Sequence, residues 1–373
     1  MRTIPIIFLT GLAGLALAGL ARVAHAYPQY QLSRDQACTS CHLSPAGGGL
    51  LAENGIAVAE STATYNGSGA FFYGAFEPPS WLQLGGDVIA AAGAVDSGKL
   101  GAAAFPMQAE AYASAGGHGF TLEVTGGLRR PLDGGSPLHV AWSREHYLMW
   151  RQNPTSPFGL YVRAGRFMPV FGLRLAEHVV YTQRYGGMPL YGEAYGTAVE
   201  YVASSFEVHA TGFVHDPIAS AVEHGDGGAL YAEARIGPHA ALGVEGKYSG
   251  SSEVHTTYGG VTGKLFLEGA DLLFQAEAEV IHQKVMAGGS ANQLAGYVMG
   301  THTITDGWLL DVGVGHFTQD TSVAGLYRDC VDVGVHWFTT PHVELLLTAR
   351  LELLDKGSGP NGGYALAQLH YRL

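Results

Sequence analysis

Charge is scarce in this sequence. Asp, Glu, Lys and Arg make up 14% of its 373 residues, against roughly 25% in a typical soluble domain. The balance is one-sided as well, with 20 basic and 32 acidic residues. That surplus argues against nucleic acid as a partner and is compatible with cations at the surface. Beyond the first 26 residues no run of 18 apolar residues occurs, so no spanning helix is expected there. Signatures of hydrolases and nucleotide binding are missing too: there is no H-E-x-x-H, no P-loop and no G-x-S-x-G. Gly357 to Gly362 fits G-x-G-x-x-G, but it falls in an expected hairpin loop before a strand, where no helix N-terminus follows to receive a phosphate.

What is plentiful is glycine, with 54 residues, and aromatic side chains, at 10%. Residues 1–26 read as a secretory leader. Arg2 gives the positive start, Ile4 to Leu20 the apolar run, and Ala24-His25-Ala26 a small-residue cleavage site. Cleavage removes Arg2 and Arg22 and leaves 18 basic against 32 acidic residues, a net charge of −14. An exported, Gly- and Tyr-rich chain without a later helical span has the composition of a bacterial outer-membrane barrel.

The next unit, residues 27–79, contains Cys38-Thr39-Ser40-Cys41-His42. C-x-x-C-H is the attachment motif for c-type haem. Its two thiols reach the two vinyl groups of one porphyrin, and the histidine binds iron axially. Export favours this chemistry, because c-type haem is attached outside the bacterial cytoplasm. Other readings of the pair are a disulfide, a dithiol redox couple, or half a zinc site. Zinc lacks further ligands nearby, since the next histidine is His118 and the only other cysteine is Cys330. A unit of about 53 residues has little core of its own, so one covalent haem would be its packing centre.

From residue 80 to 373 the pattern is period-two alternation in stretches of about ten residues. Phe206, Val208, Ala210 and Val214 alternate with Glu207, His209, Thr211 and Phe213. Short breaks at Gly116-Gly117-His118, Ser204-Ser205, Gly237-Pro238-His239, Glu268-Gly269-Ala270, Thr305-Asp306-Gly307 and Thr340-Pro341-His342 alternate with longer ones near 96–102, 128–137, 167–192, 216–228, 285–291, 319–326 and 354–362. Short turns on one side and long loops on the other are the rule for outer-membrane barrels. The expected fold is all-β: a transmembrane barrel of about 16 antiparallel strands with both ends periplasmic. The small haem domain then plugs or caps its lumen. Alternation places Glu123, Arg163, Glu207, His209, Glu233, Arg235, Glu277, Glu279, Asp332, His336, Glu344, Arg350, Glu352, His370 and Arg372 inside the channel.

The haem needs a second axial ligand. Between His42 and Pro79 there is no Met, His or Lys. The iron is then five-coordinate, bound by a weak local group such as Asn54 or the Tyr27 amine, or completed by the barrel. Candidates from the barrel are His178, in the long 167–192 segment that also holds Met168 and Met188, and His209 and His336 on the wall. A five-coordinate iron would favour peroxidase or gas-binding chemistry.

The layout resembles that of the fused monohaem cytochrome–porins. The resemblance is carried by Arg34, by Cys38 to His42, by the aromatic lead-in Tyr27 and Tyr30, and by a barrel after Trp81. It implies one-electron transfer across the outer membrane, with a periplasmic c-type cytochrome or other carrier as one partner. The other partner is an extracellular donor or acceptor, ferrous iron in the family's iron oxidisers. A function from another class is a diffusion porin whose N-terminal unit is a haem-bearing or disulfide-bonded plug.

Overall fold

The computed structural model describes residues 32, 37–96, 100–129, 140–175, 179–214, 216, 225–355 and 361–373. The leader, Tyr27, Tyr30, Arg34, His178 and the 356–360 part of the glycine motif lie outside the described residues.

Sixteen strands form one closed antiparallel barrel, from β1 (Leu82–Asp96) to β16 (Gly362–Arg372), each hydrogen-bonded to its neighbours in sequence. β1 closes the ring on β16, from Asp87 opposite Arg372 to Asp96 opposite Gly363. Closure removes the free edges that an open sheet would expose. The alternation in the sequence is the cause of the two faces. Along β7 (Phe206–Val214), Phe206, Val208 and Val214 are exposed outside while Glu207, His209, Thr211 and Phe213 are buried inside. Around the ring Leu148, Val199, Leu230, Val244, Val261, Val280, Val298, Val314 and Leu347 make the outer face apolar. A surface of that kind is stable only against lipid tails.

The predicted inward residues all fall on the inner face. Glu123, Arg163, Glu207, His209, Glu233, Glu277, Glu279, His336, Glu344 and Arg350 are buried. Connections on one rim are two to four residues, except the seven residues 152–158 between β4 (Val140–Arg151) and β5 (Gly159–Phe167). On the other rim only some are long, because β11 (Leu272–Val285) and β12 (Ser290–Thr305) run almost directly into each other and leave four residues between them.

The longest connection joins β5 (Gly159–Phe167) to β6 (Ala194–Val202) and turns into the barrel. Val170, Phe171, Leu173, Leu175, Val180 and Tyr181 are buried there. Polar wall residues hold its backbone. Glu277 accepts from Leu173 N at 3.0 Å, Glu279 accepts from Gly187 N at 2.9 Å, and Arg350 donates to Val179 O at 2.6 Å.

Candidate haem site in the barrel lumen

The C-x-x-C-H stretch forms one helical turn, α1 (Cys38–Cys41), followed by a loop and a helix α2 (Glu53–Thr62). The loop turns back because Gly47, Gly48 and Gly49 all take positive φ, +79°, +70° and +58°. Only glycine adopts three such residues in a row without steric cost. The return is fixed by Leu43 N donating to Leu50 O at 3.1 Å and Ala52 N donating to Cys41 O at 2.9 Å. It brings Gly48 O to 3.0 Å from His42 Nδ1. A carbonyl only accepts, so Nδ1 carries the proton and Nε2 keeps its lone pair. Desolvation pushes the His42 imidazole down to about 4, which keeps it neutral at pH 7.

Cys38 and Cys41 are not joined by a disulfide. Burial pushes the Cys38 thiol up, opposite to the lowered value of a dithiol redox nucleophile. Helix α2 seats on the motif through Gly55, where an added Cβ would lie 2.1 Å from Cys41 O. Asn54 Nδ2 stands 3.6 Å from Cys41 Sγ, a contact to sulphur.

The segment lies against inward-facing wall residues. Ala37 packs with Tyr147, Met149 and Phe167. Leu32 packs with Ala241, Phe266 and Leu273. Thr39 Oγ1 donates to Pro157 O at 2.8 Å. Arg174, from the inward connection, donates to Pro45 O at 3.0 Å and pairs with Glu207. Arg163 Nη1 is 3.5 Å from Ser44 Oγ and binds Glu200 through two nitrogens at 2.8 and 2.9 Å. His209 closes this ring, with Nδ1 3.2 Å from Glu200 and Nε2 3.5 Å from Glu207.

Of the three histidines considered as sixth ligand, His178 is outside the described residues. His209 belongs to the charge ring around Ser44 and Pro45, with a carboxylate at each ring nitrogen. His336 also has both nitrogens engaged, Nδ1 by Glu344 at 2.6 Å and Nε2 by Asp311 at 2.8 Å. Both His336 nitrogens are thus taken, whereas His209 Nε2 has only its 3.5 Å ion-pair contact with Glu207 and no hydrogen bond. A different residue stands beside the motif. Met149, on β4 (Val140–Arg151), is fully buried against Ala37 on one flank. On the other it shares with Leu43 the wall of a cavity of about 220 Å³, together with Trp81, Glu123 and Arg151. Sequence pattern missed it because Tyr147, Leu148, Met149 and Trp150 are all apolar, so alternation cannot say which of them face inward. Cys330 is buried on the inner face 3.7 Å from Asp332, away from the other two cysteines.

No protein family model and no curated protein matches the chain. Solved structures do. A loop-deletion form of OmpT, an outer-membrane protein of Vibrio cholerae, superposes with a TM-score of 0.62 at 16% identity, over 78% of this chain and 99% of that one. OmpF of Salmonella typhi gives 0.60 at 10% identity, over 78% and 97%. An anion-selective porin from Comamonas acidovorans gives 0.59 at 12%, over 78% and 99%. The chain therefore has the fold of the outer-membrane porins.

Proposed function

We propose that this protein is a porin-type outer-membrane barrel whose lumen is plugged by an N-terminal segment built to hold one haem c. The observation that carries the haem is the His42 Nδ1–Gly48 O hydrogen bond at 3.0 Å. It fixes the tautomer that an iron-binding histidine would need, and a hydrogen bond on the other ring nitrogen accompanies metal-binding histidines almost always. Cys38 and Cys41 would form the thioethers and His42 would bind the iron. Met149 is the wall's candidate for the other side. Bound there, haem c would supply reversible one-electron chemistry. The rest is the chain's own work. The Gly47–Gly49 turn orients His42, Arg163 and Arg174 hold Ser44 and Pro45 in place, and the apolar residues around Ala37 keep water out.

The barrel's use follows in one of two ways. Its likeness to porins supports passage of small solutes, limited by the plug. The second reading is electron transfer between an extracellular donor or acceptor, ferrous iron among them, and a periplasmic carrier that approaches the rim where both chain ends would lie. The Nε2 of His42, which makes no hydrogen bond among the described residues, favours it, because a plug needs no such group. The test is a visible spectrum, oxidised and reduced, of the full chain purified from outer membranes of a host that matures c-type haem. It is read beside bilayer conductance. A covalent c-type spectrum with little conductance supports electron transfer. An open channel with the segment in place supports solute passage. A protein without haem, and with Cys38 joined to Cys41, would overturn the haem assignment and leave a porin with a disulfide-bonded plug.

A further inference from the structure

Apart from the haem segment, the lumen wall carries a second cluster. We infer that Glu245, Glu277 and Glu279 form a binding site for one divalent cation of the calcium class, which fastens the inward connection to the wall. Ligand oxygens of the three lie within 4.8 Å of one another, and all three residues are buried. Glu245 is 8% exposed and neither of its carboxylate oxygens is hydrogen-bonded, nor is Oε1 of Glu279. Thr182, from the connection and 1% exposed, has an Oγ1 without a hydrogen-bond partner as well. Buried carboxylates with unused oxygens demand either protons or a cation.

The backbone is shaped around these oxygens. Glu245 on β9 (Ala240–Gly250) and Glu279 on β11 both stand opposite Gly260 of β10 (Val254–Leu267). A Cβ at Gly260 would meet Glu245 Oε1 at 2.2 Å. The glycine is thus what lets two carboxylates share one row. From the other side the connection presents Gly172, whose Cβ would meet Glu277 Oε1 at 2.0 Å, and Gly186, whose Cβ would meet Glu279 Oε1 at 2.3 Å. The nearby lysines are used elsewhere: Lys247 donates to Gly187 O at 2.5 Å, and Lys264 pairs with Glu233 at 2.6 Å. Hard carboxylate oxygens without nitrogen or sulphur donors suit calcium-like ions, which accept six to eight oxygens in flexible geometry.

The experiment is calcium titration calorimetry on the full-length protein in detergent after chelator treatment, at pH 7 and constant ionic strength. One ion per chain is expected, with a Kd on the order of 10⁻⁴ to 10⁻³ M or tighter. Glu245→Gln and Gly260→Ala, with folding checked by heat-modifiable gel mobility, are each expected to weaken binding about tenfold or more, since one removes ligands and the other fills their space. Should neither variant fold, the wild type alone decides: calcium, but not an equal ionic strength of sodium chloride, is expected to protect the connection near Gly186 from proteolysis. No binding up to about 10 mM, well above that range, would overturn the site and indicate carboxyls that share protons. Binding unchanged in both variants, or calcium without effect on proteolysis, would equally overturn it. The result does not depend on haem content, so the two proposals fail separately.

Discussion

At the residue scale, the strongest constraints are groups that make sense only in pairs. Arg163 and Glu200 are both fully buried and joined by two hydrogen bonds. Removing one partner strands a charge in the lumen wall. Arg163→Met is expected to lower stability by about 3–5 kcal/mol, read from the urea midpoint of the barrel in detergent. Adding Glu200→Gln is expected to restore much of it. Equal midpoints for the single variant and the wild type would mean the pair is hydrated and uncoupled. Gly55 makes a second residue-scale test. Replacing a helical glycine by alanine ordinarily stabilises the helix by about 1 kcal/mol. Here the methyl would stand 2.1 Å from Cys41 O, so Gly55→Ala is expected to loosen α2 from the motif and speed limited proteolysis between residues 43 and 79. Slower proteolysis would show that α2 does not seat on α1. Met149 is tested by spectrum. If it completes the iron, Met149→Ala shifts a low-spin haem to high spin, whereas His336→Ala leaves the spin state alone, because both His336 nitrogens are already engaged.

Among the elements, the turn after the motif matters most, because it aims His42. Substituting alanine at Gly47, Gly48 and Gly49 places three side chains in left-handed backbone, at about 1–2 kcal/mol each. The loop is expected to relax and release Gly48 O from His42. If His42 binds haem iron as proposed, a less basic imidazole donates less to it, and the haem potential is expected to rise in a redox titration. An unchanged potential would separate the glycine turn from haem tuning. Much of the barrel's element structure was legible in the sequence. Period-two alternation located the strands and the inward residues, and turn residues such as Gly237 and Thr340-Pro341 located the breaks. Glu207 and His209 on β7 could be assigned to the lumen because their neighbours Phe206 and Val208 are apolar. Met149 could not, since its neighbours are apolar too. The carboxylate trio was only partly legible: Glu277 and Glu279 fall on the inner face by alternation, but their meeting with Glu245 depends on the register of β9, β10 and β11 across Gly260. The position of the N-terminal segment left no periodic trace. It is set by scattered contacts such as Arg174 to Pro45 and Thr39 to Pro157, which link residues more than a hundred positions apart.

For the whole molecule, the question is whether barrel and segment are separable. The ring closes through β1 and β16 alone, and no strand of the barrel comes from residues 37–79. The segment is tied to the rim by Thr64 N to Phe338 O, Tyr65 N to Thr339 O, Thr64 Oγ1 with Asp306 O and Trp337 Nε1, and His342 with Ser68 O and the Tyr73 ring. The charges that face it have partners of their own, Arg163 with Glu200 and Arg174 with Glu207. Removing residues 27–79 therefore exposes paired, hydratable groups to lumen water and leaves the sheet intact. The shortened protein is expected to fold, shown by heat-modifiable mobility, and to conduct more than the whole chain in bilayers. The rise is expected to be partial, since the β5–β6 connection remains inside. Selectivity should favour cations, because acidic residues outnumber basic ones 28 to 17 over residues 80–373, and a low-dielectric channel focuses that field on passing ions. The preference should weaken as salt approaches 1 M, where the screening length falls to about 3 Å. Equal conductance with and without the segment would mean that the inward connection, rather than the N-terminal segment, sets the width of the pore.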